Sequence, residues 1–161
     1  MRGAVLVFER VIDLPREIVW DALLDPELVS GWLAEAQIDP RVGGQYDLEW
    51  MHPDPFPATS GSITELDPPA RLVVATSNAG ILAFDLGDLP GGTRGRSTAL
   101  RLTVTTPIEP AFSRSVRAYW LTDLDQLEDL LRGHPVDWKN WDRDRRESWS
   151  QHLDEVGDST A

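Results

Sequence analysis

The chain has 161 residues, 41% of them hydrophobic, with 15 Lys and Arg against 27 Asp and Glu for a formal charge of −12, and no cysteine. That length and apolar fraction suit one main core. The charge opposes phosphate backbones and anionic lipid surfaces, and the lack of cysteine excludes disulfides, thiolate catalysis and Cys-ligated metals.

The start, Met1-Arg2-Gly3-Ala4-Val5, has no signal-peptide pattern, and no apolar run approaches the roughly 18 residues of a membrane span. We therefore expect a soluble cytoplasmic protein with no membrane span. Val5 to Ile12 is β-branched and aromatic, and reads as a strand ended by Asp13-Leu14-Pro15. Two short helices follow. Pro15 suits a first helical position ahead of Ile18, Val19, Ala22 and Leu23 on one face; Asp25 can cap a second helix that starts Pro26-Glu27 and leads to Leu28, Val29 and Trp32.

From Ile38 to Val104 the apolar period becomes two, with Gly and Pro between runs, as in an antiparallel meander. Candidate strands are Gln45 to Met51, Gly61 to Glu65, Leu72 to Thr76, Ile81 to Leu86 and Ala99 to Thr105. Tyr46, Leu48 and Trp50 share one face of their strand, and Leu82, Phe84 and Leu86 repeat the pattern. A long helix is predicted over Ser113 to Arg132, with Val116, Trp120, Leu124, Leu127 and Leu131 on the sheet side and Asp125, Gln126, Asp129 and Arg132 in water. Gly133 and Pro135 stop it.

These elements make an α+β chain: a curved antiparallel sheet wrapped around a long C-terminal helix, with two small helices after the first strand, the helix-grip arrangement. Five short stretches carry a resemblance. They are Val19-Trp20-Asp21-Ala22-Leu23, Val42-Gly43-Gly44, Leu66-Asp67-Pro68-Pro69, Gly92-Thr93, and Tyr119-Trp120 before Leu124 and Leu127. In this order the chain from Val5 to Gly133 resembles the START-like (SRPBCC, birch-pollen-allergen-like) superfamily, in the group named after homologues of the heat-shock-protein ATPase activator. The resemblance implies a cavity between sheet and long helix for an apolar or amphipathic molecule, and its matching wall positions are Trp32, Tyr46, Leu48, Trp50, Phe84, Trp120 and Leu124. Many relatives carry a His near the end of the last strand; Thr103-Val104-Thr105-Thr106-Pro107 has none. Trp20 belongs to the small-helix motif and reads as packing. Arg94-Gly95-Arg96-Ser97-Thr98 departs from the family pattern and suggests a longer connection before the last strand.

The titratable groups give little sign of catalysis. His52 beside Pro53 reads as a loop residue, and none of His52, His134 and His152 falls on an expected cavity face. No His pair has ligand spacing, and Asp123, Asp125, Glu128 and Asp129 read as a solvated helix face, so no metal and no cofactor are expected. Gly91-Gly92-Thr93-Arg94-Gly95 is a hairpin turn without the context of a phosphate loop. Arg143 to Arg146 is interrupted by Asp144, so no nucleic-acid surface is expected.

Residues 1–133 form the helix-grip part and 134–161 an extension. In that extension Asp137 can cap a helix whose Trp138, Trp141, Arg145, Trp149, His152, Leu153 and Val156 lie on one side. Such a stripe needs cover, by fold-back on the domain or by a second chain as a homodimer. Disorder is expected from Gly157 on. Three functions stay open: a non-catalytic carrier or sensor of a small hydrophobic molecule, an enzyme of polyketide-cyclase type, and a module with a chaperone partner.

Overall fold

A computed structural model describes residues 4–106 and 110–159. The elements are β1 (Ala4–Ile12), α1 (Arg16–Leu24), α2 (Pro26–Val29), β2 (Glu35–Ile38), β3 (Tyr46–Glu49), β4 (Gly61–Asp67), β5 (Arg71–Thr76), β6 (Ile81–Pro90), β7 (Arg96–Thr106), α3 (Pro110–Leu131) and α4 (Trp141–Ser159). A 3-10 turn at Trp138–Asn140 leads into α4. β1, β7, β6, β5 and β4 form an antiparallel sheet in that order, and β2 pairs with β3 as a separate hairpin. Single bridges Gln45↔Ser62 and Leu48↔Thr59 hold the hairpin beside β4. This is the α+β helix-grip fold, the sheet gripping α3.

Local chemistry explains most of the element ends. The Asp25 carboxylate accepts from the Glu27 N–H at 3.0 Å, which satisfies a free donor at the start of α2. Pro15 stands just before α1 and not in its first turn, so α1 begins at Arg16. β6 and β7 extend to the register pair Pro90↔Arg96, so the extra residues of that hairpin lengthen its strands as well as its turn. Gly92 in this turn has φ +89, and a Cβ there would lie 2.2 Å from the Asp13 carboxylate. The carboxylate is already committed to Thr93, accepting from its N–H and from its hydroxyl. β2 escaped sequence reading because Glu35-Ala36-Gln37-Ile38 is short and has no β-branched run, although Ala36 and Ile38 share a face that packs on the core.

The sheet and α3 share one core. Leu6, Phe8, Leu72, Val74, Leu82, Phe84, Leu102 and Val104 face Trp120, Leu124 and Leu127, with Val116 and Leu131 partly buried at the margin. The other flank of α3 is only partly in water, where Arg132 is exposed as the sequence suggested. α4 runs antiparallel along it, so Thr122, Asp123 and Gln126 are all buried. Arg145 reaches Asp129 at 2.5 Å, His152 reaches Asp125 at 2.6 Å, and the Trp141 indole donates to Gln126 Oε1 at 2.9 Å. Trp138 donates to the Ser30 carbonyl at 2.7 Å. The tryptophan stripe is therefore covered by its own chain. α4 also continues through Ser159, past the Gly157 at which disorder was expected; residues 160–161 lie outside the described part.

Candidate functional site

Strand β3 ends at Glu49, and the chain then leaves the sheet through a loop that brings Trp50, His52, Phe56 and Pro57 to the wall of one cavity. The result is a cavity of about 320 Å³, walled by Trp50, His52, Phe56 and Thr59 from this region, Asn78 and Ala79 from the β5–β6 turn, and Tyr119, Trp120 and Asp123 from α3. A volume of that size is at the lower end of the range that holds small molecules. A second hollow of about 370 Å³ lies beside β1, β6 and β7; its Glu9, Arg101 and Asp85 make it charged, and it has no aromatic wall.

Seven wall positions were expected, and they separate. Trp50 and Trp120 line the cavity. Trp32, Tyr46, Leu48, Phe84 and Leu124 lie in the packed core, each at most 1% exposed. Two of these five have their polar atoms paired to backbone deep in the fold: Trp32 Nε1 donates to the Ala22 carbonyl at 2.8 Å and the Tyr46 hydroxyl to the Leu23 carbonyl at 2.6 Å. Burial pushes the Tyr46 phenol up, so it stays a donor.

His52 corrects the expectation that no histidine faces the cavity. It is in a loop, as its neighbours suggested, yet its ring stacks on Tyr119 with centroids 5.0 Å apart and meets Phe56 edge-on at 5.0 Å. Burial lowers its pKa, with Arg146 adding to the effect and Asp54 opposing it, so the ring is neutral at pH 7. Its Nδ1 is buried without a partner.

Asp123 corrects the reading of α3's acidic residues as solvated. It is 8% exposed, and burial, assisted by Asp125, raises its carboxyl well above the ordinary value. Among the described residues its one hydrogen-bond partner is Gln126, whose Nε2 donates to Oδ1 at 3.3 Å. The sequence grouped Asp123 with Asp125, Glu128 and Asp129, but it did not contain the information that α4 would cover this flank.

The mouth is tied by charge. Arg146 of α4 makes two bonds to Asp54, 2.9 and 3.0 Å, and its guanidinium lies 4.6 Å from the Trp141 ring centroid and 5.1 Å from that of Trp149. Tyr119 also donates to Asp54. The Arg146 bonds hold the Asp54 carboxyl below its usual range, while burial and then Asp54 push the Tyr119 phenol up. Behind the wall the polar groups close on each other. Trp50 Nε1 donates to Thr59 Oγ1 at 3.0 Å, Thr59 donates to Asn78 Oδ1 at 2.5 Å, and Asn78 Nδ2 donates to the Ala58 carbonyl at 3.1 Å.

Among the described residues there is no cluster of three or more His, Asp or Glu placed to hold a metal, and no helix is long and apolar enough to cross a membrane.

The sequence profile of a family described as "Activator of Hsp90 ATPase homolog 1-like protein" matches residues 13–132. Among solved structures, CalU16 from Micromonospora echinospora is 25% identical over 94% of this chain and 89% of its own, with a TM-score of 0.64. A protein encoded by gene BPP1335 of Bordetella parapertussis is 21% identical over 95% of this chain and 84% of its own, at a TM-score of 0.71. DynU16, described as a protein of the dynemicin biosynthetic locus, is 16% identical over 81% of this chain and 48% of its own, at 0.62. No protein of curated function matches the sequence.

Proposed function

The chain belongs to the family of Activator of Hsp90 ATPase homolog 1-like proteins, and on that footing we propose that it binds a small hydrophobic or amphipathic molecule in the cavity between the sheet and α3. The observation that carries this reading is the wall itself. Trp50, Phe56, Tyr119 and Trp120 put aromatic surface around a space of about 320 Å³, where an apolar ligand leaves water and gains dispersion contacts. A carrier or sensor needs nothing more than this.

A second reading is turnover of the polyketide-cyclase type. In its favour, Asp123, whose carboxyl burial raises well above its ordinary value, and a neutral imidazole, His52, border the same cavity, which is a pairing suited to proton transfer on a folded substrate. The chaperone-partner reading rests on the family's name alone, and a shared fold does not carry activity with it.

Titration of the full chain with the neutral dye N-phenyl-1-naphthylamine tests the binding reading. Saturable fluorescence enhancement is expected. Trp120→Ala should weaken it by about tenfold, the equivalent of roughly 1.4 kcal/mol, whereas Trp20→Ala, remote from the cavity, should leave the affinity of the folded protein within about twofold. Absence of saturable binding, or equal losses in both variants, would overturn it.

A further inference from the structure

The cavity wall is rich in polar atoms, but counting their partners leaves few for a ligand. The Trp50 N–H is taken by Thr59, the Thr59 hydroxyl by Asn78, the Asn78 amide by backbone carbonyls, and the Tyr119 hydroxyl by Asp54. The His52 Nδ1 is closed in by protein. Asp123 is different. Its Oδ1 accepts from Gln126 Nε2, which leaves Oδ2 as the carboxyl oxygen without a protein partner among the described residues.

Gln126 settles which way round this arrangement works. Its Oε1 is held by the Trp141 indole at 2.9 Å, so its amide hydrogens must point the other way, one to the Trp32 carbonyl at 2.7 Å and one to Asp123 at 3.3 Å. Asp123 Oδ1 is therefore an acceptor, and a proton on the carboxyl belongs to Oδ2 at the cavity wall. Burial, and then Asp125, favour the protonated form. The cation at the mouth does not offset this for an anionic ligand, because Arg146 already serves Asp54 and Asp142 and covers two indole faces.

Building on the binding reading above, we propose that the cavity selects neutral aromatic molecules bearing a carbonyl oxygen, with Asp123 Oδ2–H as the donor to that oxygen, and discriminates against aromatic carboxylates. A ketone or quinone oxygen accepts the Asp123 hydrogen bond while its ring lies against Trp50, Tyr119 and Trp120. A carboxylate placed there would meet a second carboxyl group in a dry site, where like charges force one of the two to stay protonated at a cost.

Three naphthalene probes separate the terms: naphthalene, 2-acetonaphthone and 2-naphthoate, each titrated calorimetrically into the full chain at pH 7. The ketone is expected to bind at least about fivefold tighter than the hydrocarbon and 2-naphthoate weakest of all. In Asp123→Leu, of similar size but without a donor, the ketone's advantage over naphthalene should vanish while naphthalene itself still binds; Asp123→Asn, which keeps an N–H donor, should retain it. Binding of 2-naphthoate equal to or tighter than the ketone, or an undiminished ketone advantage in Asp123→Leu, would overturn the assignment. If the two neutral probes bind equally, the donor role fails and the cavity reading stands; if neither binds the folded protein, both fail.

Discussion

Two parts of the space between sheet and α3 contain the same kinds of residue and behave in opposite ways. Around Trp32, Tyr46, Leu48, Phe84 and Leu124 the side chains close on one another with at most 1% exposure. Around Trp50, His52, Phe56, Tyr119 and Trp120 they surround an opening of about 320 Å³. Aromatic content does not distinguish the two. What does is where each ring's polar atom is satisfied: Trp32 and Tyr46 reach the backbone of α1, which draws them inward, whereas Trp50 and Tyr119 pair with Thr59 and Asp54 in the loop and leave their faces free.

The largest way to break this contrast is Trp32→Ala. It removes a fully buried ring and an indole bonded to Ala22, and the expected loss is about 3–5 kcal/mol of unfolding free energy by denaturant titration. A loss no greater than that of Trp50→Ala would show that the two parts are not packed differently. Tyr46→Phe should cost less, about 1–3 kcal/mol, because it deletes one oxygen and leaves the Leu23 carbonyl unpaired in the core; a neutral result in the same assay would mean that water serves that carbonyl.

Asp123→Asn sharpens the contrast from the other side, with the smallest effect and the opposite sign. The Asp123 carboxyl is raised in the fold above its ordinary value of 3.8, so between those two values the folded chain holds a proton that the unfolded chain releases, and stability falls as pH rises through that window. Asn cannot titrate and escapes the loss. Thermal unfolding at pH 7 should show a Tm higher by about 2–4 °C for roughly 1 kcal/mol at this chain length, with the gain shrinking as the pH drops toward 3.8. A Tm lowered at pH 7 would mean that Asp123 is ionised and favourably placed.

The strands other than β2, and α3, were legible because their signals are local. Alternation at Tyr46 and Leu48 and the recurrence of Trp120, Leu124 and Leu127 need only neighbouring residues to be read. The cavity was not, because its determinants are separated in sequence. Which of seven equally aromatic or apolar positions borders a space depends on hydrogen bonds across 10 residues for Trp32 and 23 for Tyr46. His52 was judged by Met51 and Pro53, although what defines it is Tyr119. Asp123 was judged with Asp125 and Asp129, although the relevant partner is a helix that starts 18 residues later, at Trp141. One signal was present: a stripe of three tryptophans in the tail requires an apolar seat, and Thr122 and Gln126 interrupt the acidic flank of α3 where it comes to lie.

The buried amide of Gln126 ties the part of the chain that the family profile matches to the tail beyond it. Its two hydrogens bind Trp32 and Asp123, inside the stretch that the family profile covers, while its oxygen is held by Trp141, outside it. The segment that the family profile matches and the mechanical unit thus differ in length. A substitution at Trp141 would reach the cavity through two successive hydrogen bonds and reorient its acid without altering any wall residue.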